Sequence, residues 1–571
     1  MKVSDYIIEF LISKGITDVF GYPGGMVTHL MDSFVKYQDK ITAHVNYHEQ
    51  GAAFAACGYA QVSKKPGIAY ATSGPGATNL ITGIANSYFD SIPCIFITGQ
   101  VNTYEAMGDL LVRQKGFQET DIVEIVKPIT KYATLITNQL DIKYELEKAY
   151  HICLDGRPGA VLLDIPMDIQ RQDITASELR SFRTVPKDIK DDINRYDLLV
   201  EELNKSSRPC MIVGAGIKNS GLIKEFRTLA KIMGIPVVSS MIAADVMSKE
   251  AFNYYGFIGA YGHRTANFIV SKCDLLITIG SRLDVRQIGA DKDKFAPNAK
   301  LIRIDIDENE MTNLIKKNEI HIIDKLSIAG IELLTKNIKS SVNKDYSYWF
   351  HICEEIKTGL MNSDNGTTTE MVKVISEIIP DDIIITTDVG QNQVWIAQAF
   401  QFKEKQLALF SGGHGAMGYS LPAAIGAYYA SRKTVYCFNG DGGIQMNIQE
   451  LQFITREKLP IKIIIFNNKS LGMIRHFQEI YFNSNYYQTI EEHGYSTPDF
   501  EKIAYAYDLS YYKIQDIEEI EKEIFTNKIP TIIEVDLGKN TYVFPKLSMD
   551  RSIQDQDPLI DRDLYQHLME L

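Results

Sequence analysis

The sequence predicts an α/β protein built from three doubly wound parallel-sheet domains, and three observations carry that expectation. The chain has 571 residues, too many for one hydrophobic core and enough for about three domains of ordinary size. Short apolar runs recur along it, several closed by glycine or proline turns and alternating with helix-like stretches, which is the β–α pattern of a parallel sheet. The runs fall into three groups.

The first group spans residues 1–170, with strand candidates Gly67-Ile-Ala-Tyr-Ala, Cys94-Ile-Phe-Ile-Thr and Ala160-Val-Leu-Leu-Asp-Ile, and it closes near Pro166-Met167-Asp168-Ile169. Residues 171–192 are charged and aperiodic, and read as a connection. The second group, 193–340, carries Cys210-Met-Ile-Val-Gly, Ile235-Pro-Val-Val-Ser, Leu275-Leu-Ile-Thr-Ile-Gly and Lys300-Leu-Ile-Arg-Ile-Asp. The third, 362–548, carries Ile383-Ile-Ile-Thr-Thr-Asp, Thr434-Val-Tyr-Cys-Phe, Lys462-Ile-Ile-Ile-Phe and Thr531-Ile-Ile-Glu-Val-Asp. From Lys539 the chain passes through Phe544-Pro545 into a polar tail at 549–571, which reads as a flexible lid or a disordered end.

Composition narrows the function. With 45% hydrophobic and 23% charged residues the chain is globular. A formal net charge of −13 argues against a general nucleic-acid binder or a binder of anionic membranes, so anionic ligands must be gripped locally. The seven cysteines are scattered without a C-x-x-C pair, as expected of reduced thiols in a cytoplasmic protein. The N-terminus reads as an amphipathic helix without a cleavage-like site, and no run reaches the ~18 apolar residues of a membrane span.

The sharpest chemical signal is a pair of segments at predicted strand ends: Gly440-Asp441-Gly442-Gly443 and Asn467-Asn468. A parallel sheet brings both to its carboxyl edge, where such sheets bind ligands. A carboxylate, an amide oxygen and a nearby backbone carbonyl are hard donors suited to Mg2+ shared with a phosphate. The glycines let backbone N–H groups approach that phosphate. Either segment alone is ordinary turn material. Glu49, in Tyr47-His48-Glu49-Gln50-Gly51, is a catalytic carboxyl or merely an acid at a helix start, favoured by the helix dipole.

Three more segments follow strand-like runs. Ser73-Gly74-Pro75-Gly76-Ala77-Thr78-Asn79 is a tight βα turn whose donors can face an anion. Asp388-Val389-Gly390-Gln391-Asn392 is a second strand end. In Ser411-Gly412-Gly413-His414-Gly415-Ala416-Met417-Gly418, the polarizable Met417 is a wedge against a ring or core filler, and His414 faces solvent or supports the site through a hydrogen bond.

Taken together these segments resemble the thiamine diphosphate enzymes, and within them the acetohydroxyacid (acetolactate) synthase catalytic subunits. The similarity runs over nearly the whole chain, including Phe20-Gly-Tyr-Pro-Gly-Gly25, Gly99-Gln-Val, Phe117-Gln118-Glu-Thr-Asp, Gly156-Arg157-Pro-Gly and Leu471-Gly-Met-Ile-Arg475. The resemblance implies a pyrimidine-binding first domain, a central FAD-type domain and a diphosphate-binding third domain. It implies an active site shared between two subunits of a homodimer or homotetramer, with room for a regulatory subunit.

The implied reaction is decarboxylation of pyruvate and transfer of the two-carbon unit to a second 2-oxo acid. By the same resemblance Glu49 activates the cofactor, with Gly25, Phe117 and Gln118 near the reacting groups; Gln118 also reads as a loop cap. Thiamine diphosphate falls to Asn79, Val389, Gly390, Gln391, Asn392, Gly415, Met417, Asp441, Gly442, Gly443, Asn468, Ser470, Leu471, Gly472 and Met473. The Mg2+ ligands are Asp441, Asn468 and the Ser470 carbonyl. FAD, in a structural role, falls to Arg157, Gly214, Ala215, Ser240, Met241, Gly280, Arg282, Asp284, Arg286 and Asp305, although the Gly214-Ala215-Gly216 turn lacks the further glycine of a dinucleotide fingerprint.

Departures from the family pattern touch the acceptor. Phe477 stands where tryptophan is usual, Met167 where lysine is usual, and Met26 where a smaller residue is usual. Residues 102–113 read as extra sequence, within which Arg113 binds a carboxylate or pairs with Asp109 on the surface. The alternative reading is therefore a thiamine diphosphate carboligase with another acceptor, such as an aldehyde or a sugar-derived ketone.

Overall fold

The computed structural model describes residues 1–184, 195–361, 363 and 366–571. The boundaries expected at 193 and 362, and the connection from 185 to 192, lie outside the described residues. Eighteen strands form three sheets of six, and every pairing within them is parallel. The first sheet has strands β1 (Asp18–Gly21), β2 (Thr42–Val45), β3 (Gly67–Ala71), β4 (Cys94–Gln100), β5 (Tyr132–Leu135) and β6 (Ala160–Pro166), in the order β2-β1-β3-β4-β6-β5. The apolar runs of five to seven residues form the middle of this sheet. The polar β2 and β5 lie at its edges, where one flank meets solvent.

The second sheet contains β7 (Pro209–Val213), β8 (Val237–Ser239), β9 (Tyr254–Phe257), β10 (Leu275–Ile279), β11 (Lys300–Asp305) and β12 (Ile320–Ile323), ordered β12-β11-β10-β7-β8-β9. This is the dinucleotide-binding strand order, with its reversal between β7 and β10. The third sheet contains β13 (Ile384–Thr387), β14 (Leu407–Phe410), β15 (Val435–Gly440), β16 (Ile461–Asn467), β17 (Ser510–Ile514) and β18 (Thr531–Asp536). Its order, β14-β13-β15-β16-β18-β17, repeats that of the first sheet strand for strand.

The first and third units pack through equivalent helices, Glu49–Ser63 after β2 and Ser420–Ser431 after β14. Both are rich in glycine and alanine on the contact. A Cβ on Gly58 would collide with the Ala423 carbonyl, and one on Gly426 with the Ala55 carbonyl. The backbones therefore touch, and the alanines Ala52 to Ala56, Ala423, Ala424 and Ala427 are fully buried in one core that spans both units. The middle unit is fastened to the third by Lys218, whose Nζ donates to Asp245 at 2.8 Å and to the Ala408 carbonyl at 2.6 Å.

The tail corrects the expectation of a lid or a disordered end. Residues after 549 lie along the middle unit: Asn267 donates to the Ile553 carbonyl at 2.9 Å and Arg264 to that of Gln556 at 2.9 Å. A last helix, Arg562–Glu570, is capped by Asp561 and buries Leu568 beside Trp349 in the same core. All seven cysteines are buried and unbridged. Among the described residues no helix is long and apolar enough to cross a membrane.

Candidate active site

The strand ends of the third sheet converge as the sequence predicts. Asp441 follows β15, opens the helix Asp441–Met446 and is 3% exposed. Its carboxylate accepts from Ser470 N and from the Tyr495 hydroxyl, both at 3.2 Å, and burial pushes it up to about 7. A carboxyl held back from ionising by desolvation is one that a bound cation stabilises most. Asn468 donates through Nδ2 to Gln391 Oε1 at 2.7 Å, which turns its amide oxygen away from Gln391. Glycine at 472 leaves room for this pair: a Cβ there would overlap Gln391 Oε1 and displace both amides.

Only one residue of the Asn-Asn pair is available to this site. Asn467 still belongs to β16, and its side chain donates to Glu534 at 2.7 Å.

The remaining loops close around these residues. Asp388 is fully buried and accepts from Gly418 N at 3.0 Å and Val389 N at 2.7 Å, so it ties the loop after β13 to the loop after β14. Met417 Cε lies 3.2 Å from where a Cβ on Gly442 would stand. Three buried polar atoms in this shell have no partner: Ser470 Oγ, Gln391 Nε2 and Asn392 Oδ1. Orphaned buried groups of this kind are satisfied by a ligand, an ion or ordered water, and their clustering around Asp441 suits a polar ligand. Among the described residues no three acidic, histidine or cysteine side chains form a metal cluster. A cation here would therefore complete its shell from the amide, a carbonyl and a bound phosphate, and the donor set fits Mg2+ with a diphosphate.

The anchor opens into a cavity of about 680 Å³ that runs to the middle sheet. Its lining includes Val389 to Trp395, Gly415, Met417, Gly440 to Gly443, Asn468 and Ser470 to Ile474. From the middle unit come Ala215, Gly216, Ser240, Met241, Gly280, Arg282, Asp284, Arg286 and Asp305. These sit on the loops after β7, β8, β10 and β11, on both sides of the strand reversal. Ser240 Oγ is buried without a partner, and burial raises Asp305. The elongated pocket and unsatisfied hydroxyl fit a dinucleotide. Two expected residues behave differently. Gly214 is absent from the lining and instead lets β7 approach the Gly280 carbonyl. Arg157 lines the cavity, but its guanidinium is engaged by Glu310 at 2.5 Å and Asp307 at 3.2 Å.

The residues expected to be catalytic gather elsewhere, at the carboxyl edge of the first sheet. Glu49 is the first residue of its helix, 7% exposed, with Asn79 Nδ2 donating to Oε2 at 3.0 Å. Its Oε1 lies 3.1 Å from where a Cβ on Gly76 would be. Gly74 adopts φ +62° and packs against Gln118, itself in the left-handed region at φ +63°. A glutamine held there is strained by about 1–3 kcal/mol, which is common at ligand sites. Gly25 begins a short turn beside this group, and Phe117 is 79% exposed. Glu49, Asn79, Gly25, Phe117 and Gln118 do not line the cavity that holds Asp441. One chain therefore carries two separated clusters.

Other expectations resolve variously. Met26 follows Gly25 and its N–H donates to Thr72, while Met167 opens a short helix directly after β6. Just beyond the extra stretch, Glu119 accepts from Lys115 N and Gly116 N and reaches back to Met107 N within it, closing the loop. Arg113 and Asp109 are both exposed and make no ion pair among the described residues. His414 is exposed and stacks on Phe89 at 5.7 Å.

Tyr495 and Glu450 escaped the sequence reading. Tyr495 comes from an irregular loop without a motif. Glu450 lies nine residues beyond Asp441, on a short turn whose polar residues carry no distinguishing signal. It is fully buried and accepts from Asn46 Nδ2 and Tyr47 N, both at 2.9 Å, clamping the segment just before Glu49.

Comparison with known proteins adds three family matches. Residues 1–125 match the N-terminal TPP binding domain of thiamine pyrophosphate enzymes, 197–331 their central domain and 388–535 their C-terminal TPP binding domain. The chain is 35% identical to the acetolactate synthase large subunit of Lactococcus lactis, over 95% of this chain and 94% of that protein. It is 36% identical to the large subunit of Corynebacterium glutamicum, over 96% and 89% of the two chains. Against the isozyme 2 large subunit of Escherichia coli the identity is 32%, over 95% and 97%.

Proposed function

Because the chain belongs to the acetolactate synthase large-subunit family of thiamine pyrophosphate (thiamine diphosphate) enzymes, we propose that it decarboxylates pyruvate and transfers the two-carbon unit to a second 2-oxo acid. The observation that carries this reading is the buried Asp441 carboxyl, raised to about 7, among unsatisfied Ser470, Gln391 and Asn392 atoms. Asp441, Asn468 and the Ser470 carbonyl would hold Mg2+, with Gly442 and Gly443 opening their backbone to a diphosphate. When bound, thiamine diphosphate supplies the electron sink for loss of CO2 and for the new carbon–carbon bond. Met417, whose Cε lies beside Gly442, would offer its polarizable thioether to an aromatic ring of the cofactor.

Glu49 is the proton-carrying group of this proposal. Asn79 occupies Oε2, which leaves Oε1 as the oxygen that would hold or release a proton toward a bound cofactor. Gln118, held at a positive φ beside the Gly74 turn, would supply an amide to the charge that develops on the reacting carbonyl. Since Glu49 and Asp441 lie in different clusters of one chain, a second copy would bring its Glu49 to this cavity, giving a homodimer or a tetramer of dimers. The exposed Phe117 favours such a partner. FAD is proposed for the middle-unit loops, on the dinucleotide strand order and the unpartnered Ser240 hydroxyl.

The test is to supply pyruvate alone with thiamine diphosphate and Mg2+ and to measure acetolactate. Absence of CO2 release under any acceptor would overturn the proposal. CO2 release that yields product only with an aldehyde or a sugar-derived ketone would move the assignment to the other acceptor, a reading favoured by Phe477 in place of the family's tryptophan. A flavin absorbance band in the purified protein would establish FAD.

A further inference from the structure

The helix Gly472–Tyr481 leaves the diphosphate anchor with Met473 and Ile474 lining the cavity, and one turn further on it presents Phe477 and then Tyr481. Over both rings, 5.9 Å from each centroid, lies Lys546 Nζ. Lys546 is 6% exposed, and its ammonium has no hydrogen bond or ion pair among the described residues. Its neighbour Leu547 donates to the carbonyl of cavity-lining Ala260 at 2.6 Å, which ties this stretch of chain to the cavity wall, while Lys546, Phe477 and Tyr481 themselves stand outside the lining.

The anions nearest Lys546 are engaged elsewhere. Asp557 is bound by Arg551 at 2.8 Å and by the Ser548 hydroxyl. Glu479 accepts from Tyr486 at 2.8 Å and from Tyr542. His476, on the same helix, is held neutral, pushed down to about 4 by burial and by the lysine charge. Arg286, whose exposed guanidinium lines the same cavity as Tyr261, likewise makes no ion pair among the described residues.

The stem of Lys546 is buried while its ammonium, facing two rings and within the field of Asp557, keeps its hydrogen-bonding capacity unspent, since a ring contact at this distance is worth only about 0.5–1 kcal/mol. Desolvation accordingly lowers the lysine from its ordinary value. We propose that Lys546, backed by Phe477 and Tyr481, recognises an anionic group on the acceptor, a carboxylate or a phosphate carried away from the reacting carbonyl. This rests on the carboligase reading above and narrows its substrate to a carbonyl compound with a charged far end.

The test compares acceptors that differ only in that charge: 2-oxoglutarate against its 5-methyl ester, and glyceraldehyde 3-phosphate against glyceraldehyde, each with pyruvate as donor. The charged member of one pair should have a kcat/KM at least about tenfold higher, carried mainly by KM. Which pair responds distinguishes carboxylate from phosphate. In Lys546→Met that ratio should fall about tenfold or more, and Lys546→Arg should keep most of it.

Calorimetric titration of the same proteins with succinate and with inorganic phosphate reads the subsite without turnover. The Lys546→Met protein should bind the responding anion at least about tenfold more weakly. If Lys546→Met fails to fold, Lys546→Gln replaces it. A folded neutral variant with an unchanged ratio and unchanged anion binding would overturn the subsite, as would a wild type indifferent to charge in both pairs. Anion binding that depends on Lys546 in a protein releasing no CO2 from pyruvate would keep the subsite and discard the donor assignment.

Discussion

The first and third units share one strand order and meet through equivalent helices, yet they carry different chemistry. In the third, the loops after β13, β14, β15 and β16 supply Gln391, Met417, Asp441 and Asn468, a polar cradle with unsatisfied atoms. In the first, the loops after β2 and β3 supply Glu49, Asn79 and the glycine turn, in which the carboxyl is already paired with an amide. Under the proposed function the same scaffold would give an anion and metal grip in one copy and a proton-handling group in the other. The topology places ligand loops at the strand reversal in both, and the side chains decide the role.

The strongest way to break this division of labour is to disable each half separately. Asp441→Asn should weaken thiamine diphosphate and Mg2+ binding by about 100-fold or more, as loss of a charged metal ligand does. Glu49→Gln should leave cofactor affinity nearly intact and lower kcat by about 10²–10⁴, the range of general acid–base catalysis. Equilibrium dialysis of the cofactor beside turnover measurements checks both. Equal losses of affinity in the two variants would contradict the split.

A smaller effect probes the contact between the units. Gly426→Leu places a side chain against the Ala55 carbonyl in a contact with no free space. It should destabilise the protein by about 1–3 kcal/mol or more, read by denaturant titration. An equally bulky residue at the exposed Gly494, where nothing lies within 4 Å but φ is +98°, should cost less.

The finest test concerns Glu450, which reaches from the third unit to the segment before Glu49. Burial outweighs its three donors and pushes its carboxyl up to about 7, above the ordinary 4.5. The folded state therefore binds the extra proton, and this group's contribution to stability falls as pH rises from about 4.5 through about 7. Glu450→Gln does not titrate. The melting temperature of the wild type relative to that variant should decline across this window, and a constant difference would show that the carboxyl is ionised throughout.

Much of this was legible in the sequence for physical reasons. Central strands such as β4, β15 and β16 are buried on both faces and so read as apolar runs. Edge strands β2 and β17 alternate with polar residues and were not recognised. Glycines beside Asp441 and in the 73–79 turn announced themselves because only glycine tolerates the approach of neighbouring backbone and side chains there. Tyr495, Glu450 and Lys546 gave no signal, because each acts through a partner distant in sequence and none sits in a pattern that local chemistry dictates.

What the sequence determined by itself was the three-unit α/β plan and the anchor's donor chemistry, since periodicity and strand-end residues are local properties. Tertiary structure alone decided which donors meet. It turned Asn467 toward Glu534 and left Asn468 beside Gln391, because successive side chains at a strand end point to opposite faces. It also set Glu49 and Asp441 in separate clusters of one chain. That follows from the packing of two duplicate units through their small-residue helices, a geometry written only in the contact between elements far apart in sequence.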